Sequence, residues 1–154
     1  MGARTTAREA ALQMLYAIEA SGTAVELAIK YFWWELPGDP EDREYADTVV
    51  HGVSSQLEQL DQWIRAASQN WRLERMTRVD RNVLRIGTWE ILQQAAIPRA
   101  VILDEAVELA KRFGTEESGA FVNGVLARIA DDCGRVDQDR PAAEEPVALA
   151  KPGA

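Results

Sequence analysis

The side chains best placed by type and spacing to do chemistry are arginines and aromatics, not nucleophiles. Arg4 and Arg8 are four residues apart, so a helix through them puts both guanidinium groups on one face. Such a pair suits phosphate and can stack on unpaired bases; it could equally be an ordinary solvated terminus. Phe121 stands one position before Val122 of an apolar stripe, either as a stacking platform for a base or as core. Glu117 and Ser118 fall in the first turn of the same segment, where they could reach base edges and hydroxyls or could simply cap the helix. Arg78, Arg81 and Arg85 form a basic stripe at offsets of 3 and 7. For Arg85 an ion pair with a carboxylate such as Glu105 or Glu90 is preferred over a phosphate track. Asp80, three residues after Thr77, can serve as the acid of a helix-capping box.

Catalytic chemistry finds little support. His51 is the sole histidine, in a Val-Val-His-Gly context where a packing role is expected, and nothing pairs it with a nucleophile. Cys133 is the only cysteine, sits on an apolar stripe and is expected to be inert. The sequence has no zinc-type spacing, no phosphate loop and no G-x-G-x-x-G fingerprint, so no metal and no cofactor are expected. The 154 residues carry a net charge of −8, which disfavours broad nucleic-acid binding. Any RNA contact must come from a local basic patch and gain from a partner. The lone thiol, the absence of a signal-like start and the shortness of the apolar runs predict a cytoplasmic protein with no membrane span.

Helices must position these groups, because the apolar spacing is helical almost throughout and no β-alternation of any length occurs. Thr6 and Glu9 read as a capping box opening a first helix whose stripe is Ala11, Leu15 and Ile18, closed by Gly22. A second helix is predicted over about 24–36, before Pro37-Gly38-Asp39-Pro40. A third stretch starts near Glu41 and could run to Asn70, with Gly52 a candidate bend. Thr77 opens the next helix, with Val79, Val83 and Ile86 facing the core. Ile102, Ala106, Leu109 and Phe113 follow in another, with Gly114 as its C′ residue and Thr115 as the N-cap of the last, which carries Val122, Leu126, Ile129 and Cys133. Packing is the expected role of the five tryptophans, although Trp71, flanked by Asn70 and Arg72, could instead be exposed at a partner surface. This predicts an all-α fold over residues 1–134, followed by a Pro/Ala/Glu-rich tail over 135–154 that reads as disordered.

Three segments in register carry a resemblance: Ala7-Arg8-Glu9-Ala10-Ala11-Leu12-Gln13-Met14-Leu15-Tyr16, Asp80-Arg81-Asn82-Val83-Leu84-Arg85-Ile86-Gly87-Thr88-Trp89-Glu90-Ile91-Leu92, and Leu103-Asp104-Glu105-Ala106-Val107-Glu108-Leu109-Ala110-Lys111-Arg112-Phe113-Gly114, running on to Ser118 and Phe121-Val122-Asn123-Gly124-Val125-Leu126. Together they resemble the NusB family of antitermination factors over about residues 4–133.

The resemblance implies a two-lobed bundle of six to seven helices with no catalytic activity and no cofactor. It implies binding of the boxA element of nascent RNA together with NusE, a small-subunit ribosomal protein, and delivery of the pair to an RNA polymerase antitermination complex on ribosomal RNA operons. It assigns RNA contact to Arg4, Arg8, Glu117, Ser118 and Phe121, and contact with NusE to Asp80. Some relatives form homodimers. Thr5, Thr6 and Ala120 stand where basic residues are common in the family, which thins the cationic surface. Two alternatives follow: a helical protein-interaction module with weak or no RNA binding, and, less well supported, a fragment of the RNA methyltransferases to which such domains are fused, for which the chain has no room.

Overall fold

The computed structural model describes residues 3–135, with side chains from residue 4 onward. Seven α-helices and one short 3-10 turn account for the regular structure among these residues, and no strand occurs. The chain divides into two compact units that meet in sequence after Gln56.

The first unit holds α1 (Ala3–Ser21), α2 (Val25–Glu35) and α3 (Pro40–Ser55). α1 is already helical at Ala3, so Thr6 lies inside the helix instead of capping it. Its Ala7, Ala11, Leu12, Met14 and Leu15 are buried, and α1 packs chiefly against α3, with α2 touching both. Gly22 ends it as predicted, at φ 72° with its N–H on Ile18 O. Trp33 is tied across to α3 by Nε1–H donation to Asp47 at 2.8 Å. Trp34 is 81% exposed and is not a packing residue. His51 is exposed as well, with Nε2 3.3 Å from Glu26 Oε1, a surface position where the sequence suggested packing.

The long helical stretch predicted from Glu41 is two helices. The break comes at Gln56 (φ −116°, ψ 19°), not at Gly52, and it coincides with the boundary between units.

The second unit holds α4 (Leu57–Ala67), the 3-10 turn Leu73–Arg75, α5 (Arg78–Gln93), α6 (Arg99–Phe113) and α7 (Ser118–Asp132). α5 is central, packed on α4, α6 and α7, and every residue from Asn82 to Ile91 is buried. Thr77 caps it as predicted, accepting from Asp80 N–H at 3.1 Å. Close approach of α5 and α7 is set by Gly87, where a Cβ would lie 2.6 Å from Leu126 Cδ1, whereas nothing lies within 4 Å of a Cβ at Gly124.

Some polar groups buried in this unit are matched, whereas Trp63 Nε1, Asp80 Oδ1 and Thr88 Oγ1 have no hydrogen-bond partner among the described residues. Arg85 forks onto Asp61 of α4, Nε and Nη2 donating to Oδ1 and Oδ2 at 2.8 and 2.9 Å. Asp61, the carboxylate held by this fork, was not among those named from the sequence. Arg135, placed in the tail by the sequence, is buried and belongs to the folded body. The remainder of that tail, 136–154, lies outside the described residues. Cys133 is buried, and desolvation pushes its thiol above the ordinary value. Because the folded-state pKa is raised, its contribution to stability is full below the unfolded thiol's value and is lost as pH rises through the folded one.

Candidate nucleic-acid interface

In the first unit, Arg4 is exposed and its guanidinium carbon lies 4.7 Å from the Tyr45 ring centroid. Arg8 does not stand beside it in solvent. It is 2% exposed, with its guanidinium carbon 5.9 Å from the same ring. The helical step that aligns it with Arg4 also aligns it with Leu12 and Leu15, so the face it occupies runs into the core, and only Arg4, one turn nearer the end, stays outside. Arg8→Ala is therefore expected to lower stability by about 1–3 kcal/mol through lost packing and the lost contact with the Tyr45 ring, where a surface arginine would cost under about 0.5 kcal/mol. Denaturant unfolding of the variant measures this directly. Tyr45, absent from the sequence-derived site, lines a shallow hollow of about 310 Å³ with Arg4, Glu41, Glu44 and Thr48.

In the second unit, the loop between α6 and α7 is knotted around Ser118. Its hydroxyl accepts from Thr115 N–H at 2.9 Å, and the residue is 1% exposed. Ser118 thus shapes the loop from inside instead of presenting its hydroxyl outward. Thr115 does not cap α7, which begins at Ser118 with Glu117 in the N-cap position. The Thr115 hydroxyl reaches Glu117 Oε2 at 3.1 Å. Gly114 is not left-handed (φ −105°); its lack of a side chain is needed for space, since a Cβ would sit 2.5 Å from Ser118 Oγ and 2.7 Å from Ala110 O.

This loop aims α7 so that Phe121, half-buried, meets the Trp71 ring edge-on, with centroids 6.1 Å apart and planes at 74°. The pair forms one wall of a groove of about 310 Å³ that Arg72, Arg75, Met76, Thr77, Asp80 and Glu117 complete. The 3-10 turn behind it is fixed by Arg81, whose Nη1 donates to Leu73 O at 3.1 Å and Met76 O at 2.8 Å. Arg65 braces the same turn through Glu74 at 3.0 Å. A hydrogen bond from its own backbone N–H, and then the one from Arg65, hold the Glu74 carboxyl below its ordinary value.

The basic stripe read from the sequence is therefore divided. Arg81 and Arg85 brace structure, and Arg78 stays exposed. Phe121, Glu117, Ser118 and Asp80 come together in the second unit, while Arg4 and Arg8 belong to the first. The sequence reading left out Arg72 and Arg75 and offered Trp71 only as a residue exposed at a partner surface. Their signal was present in the sequence: residues 71–81 hold four arginines against two acids and begin with a tryptophan outside any helical stripe. Among the described residues no cluster of three potential metal ligands occurs, and no helix is long and apolar enough to cross a membrane.

A model of the NusB family matches residues 5–131. The transcription antitermination protein NusB of Sorangium cellulosum is 66% identical over 140 residues, 91% of this chain and 100% of that protein. Its counterpart from Myxococcus xanthus is 48% identical, covering 84% of this chain and 96% of that protein. Among solved structures, NusB of T. maritima superposes with a TM-score of 0.77 at 37% identity, over 86% of this chain and 92% of that one. The crystal structure of antitermination factors NusB and NusE in complex with dsRNA gives a TM-score of 0.77 at 28% identity, over 85% of this chain and 98% of the other.

Proposed function

The chain belongs to the NusB family, and from that premise we propose that it is a non-enzymatic transcription antitermination factor of the bacterial cytoplasm. It binds single-stranded boxA-type RNA jointly with NusE and enters the RNA polymerase antitermination complex on ribosomal RNA operons. The observation that carries the RNA assignment is the groove of the second unit, where an aromatic pair is rimmed by Arg72 and Arg75 in a chain of net charge −8. Aromatic faces take unstacked bases and guanidinium groups take the flanking phosphates. Arg4 of the first unit adds a further phosphate contact, while buried Arg8 holds Tyr45 and the start of α1 in position. Glu117 and Phe121 touch RNA directly, and Ser118 acts by shaping their loop.

So small a cationic surface gives weak intrinsic affinity. A second protein that binds both this chain and the same RNA raises apparent affinity through effective concentration. In an anisotropy titration, boxA-type RNA is expected to bind at least about tenfold tighter when NusE is present, with affinity falling as salt rises. The single strand should bind tighter than its duplex, whose bases are stacked away. Equal affinity with and without NusE contradicts the reading. A second reading, an interaction module without RNA binding, draws on the burial of Arg8, which removes one of the two N-terminal cations from the surface. A flat salt response of RNA retention favours it.

A further inference from the structure

We propose that the groove between Trp71 and Phe121 is a single-base pocket, in which Trp71 is the stacking platform and Asp80 reads an amino-bearing base edge. The proposal rests on the reading that this chain binds single-stranded RNA. Trp71 is 64% exposed, yet it is held firmly in place. Its backbone N–H donates to Ser68 O at 2.8 Å, its ring meets the Phe121 ring, and the turn that follows it is clamped by Arg81. A large aromatic face that is exposed and already ordered loses little entropy when a flat ligand covers it.

Asp80 supplies the polar contact. Its Oδ1 is shielded from solvent and has no hydrogen-bond partner among the described residues, and because the residue lines the groove, a turn of the side chain brings the carboxylate to a base edge. A buried carboxylate oxygen left unsatisfied is costly, and a carboxylate only accepts, so its complement is an N–H donor. Adenine, cytosine and guanine present amino groups there. Uracil presents N3–H between two carbonyl oxygens that the carboxylate repels, and is disfavoured.

Arg72 and Arg75 line the same groove, in a segment where four arginines face two acids. That balance favours a polyanion over an acidic or apolar protein arm, and a volume of about 310 Å³ is at the small end for ligand pockets, which suits one base and not a helix.

The test is an abasic scan of a boxA-type single strand, titrated against the full chain at low salt without NusE, and repeated with Trp71→Ala, Trp71→Phe and Asp80→Asn. In the unsubstituted protein, one abasic position is expected to weaken binding by about five- to hundredfold, the range for a single stacked base. Trp71→Ala should weaken the intact RNA by a similar factor and abolish the extra penalty at that position, whereas Trp71→Phe should retain most of the affinity. Asp80→Asn, which offers a donor in place of an acceptor, should shift preference at that position towards uracil. RNA binding that is salt-dependent but identical in Trp71→Ala overturns the pocket and leaves the adaptor reading standing. An effect of Trp71→Ala that appears only when NusE is added means the groove holds protein, and overturns it too. Absence of RNA binding by the unsubstituted chain, with NusE and without, overturns both.

Discussion

Asp61→Ala is expected to destabilise the second unit by about 3–5 kcal/mol, the loss typical when one member of a buried ion pair is removed. The pair is enclosed, with side-chain exposures of 8% for Arg85 and 11% for Asp61, and the guanidinium grips both carboxylate oxygens. Without Asp61, a charge on α5 remains where water reaches it poorly, and the contact between Arg85 and Asn82 Oδ1 at 3.3 Å is a weak substitute. The double variant Asp61→Leu/Arg85→Met should recover most of the loss, because apolar groups of similar volume avoid the desolvation that the pair has to offset. Denaturant unfolding of the single and double variants separates these cases. A single variant within about 1 kcal/mol of the parent would mean that water enters the site far more freely than the packing of α4 on α5 indicates.

The same pair marks the limit of what the sequence reveals. That Arg85 pairs inside the bundle follows from its place among Val83, Leu84 and Ile86, all buried. Which carboxylate it meets depends on the rotation and axial offset of α4 against α5, and neither leaves a trace in the periodicity of one chain. The Thr77 cap and the Gly22 stop were legible because each is a local matter of spacing or backbone conformation. Arg8 was misjudged for a related reason. Arginine near a terminus suggests solvent, but the stripe of Leu12 and Leu15 extends through it. Trp71 lies in an irregular segment where no period signals a face, and its importance emerges only when the loop around Ser118 delivers Phe121 to its edge.

The fate of the arginines also explains why a partner is expected. Arg81, Arg85, Arg99 and Arg135 are committed to carbonyls and carboxylates of the second unit. Those exposed near the aromatic groove, Arg72 and Arg75, work against a net charge of −8. Two or three phosphate contacts cannot give tight binding at physiological salt, since each contributes one step to the salt dependence and a modest share of affinity.

Arg135→Ala should be the other large loss, about 3 kcal/mol, from a residue that looks from sequence like the first of a disordered tail. Helix α5 ends at Gln93, and the last carbonyls of a helix lack intrahelical partners. The Arg135 guanidinium supplies them: Nη1 donates to Ile91 O at 2.7 Å, and Nη2 to Gln94 O at 3.2 Å, to Ala95 O at 3.4 Å and to Ile97 O. Its own carbonyl accepts from Arg99 Nη1 at 2.8 Å, linking the start of α6 to the same knot. Burial pulls the guanidinium below its ordinary value, yet arginine remains charged at neutral pH, where it also complements the negative end of the α5 dipole. Truncation removes this donor from the buried Ile91 and Ile97 carbonyls, at roughly 1–3 kcal/mol for each that water cannot reach, while Gln94 O keeps the Ile97 N–H. Arg135→Lys keeps the charge but not the planar fork, so it should restore only the dipole's share, at most about 1 kcal/mol. Thermal unfolding of the two variants ranks them; if lysine fully rescues, charge and not the four-carbonyl grip is what Arg135 contributes.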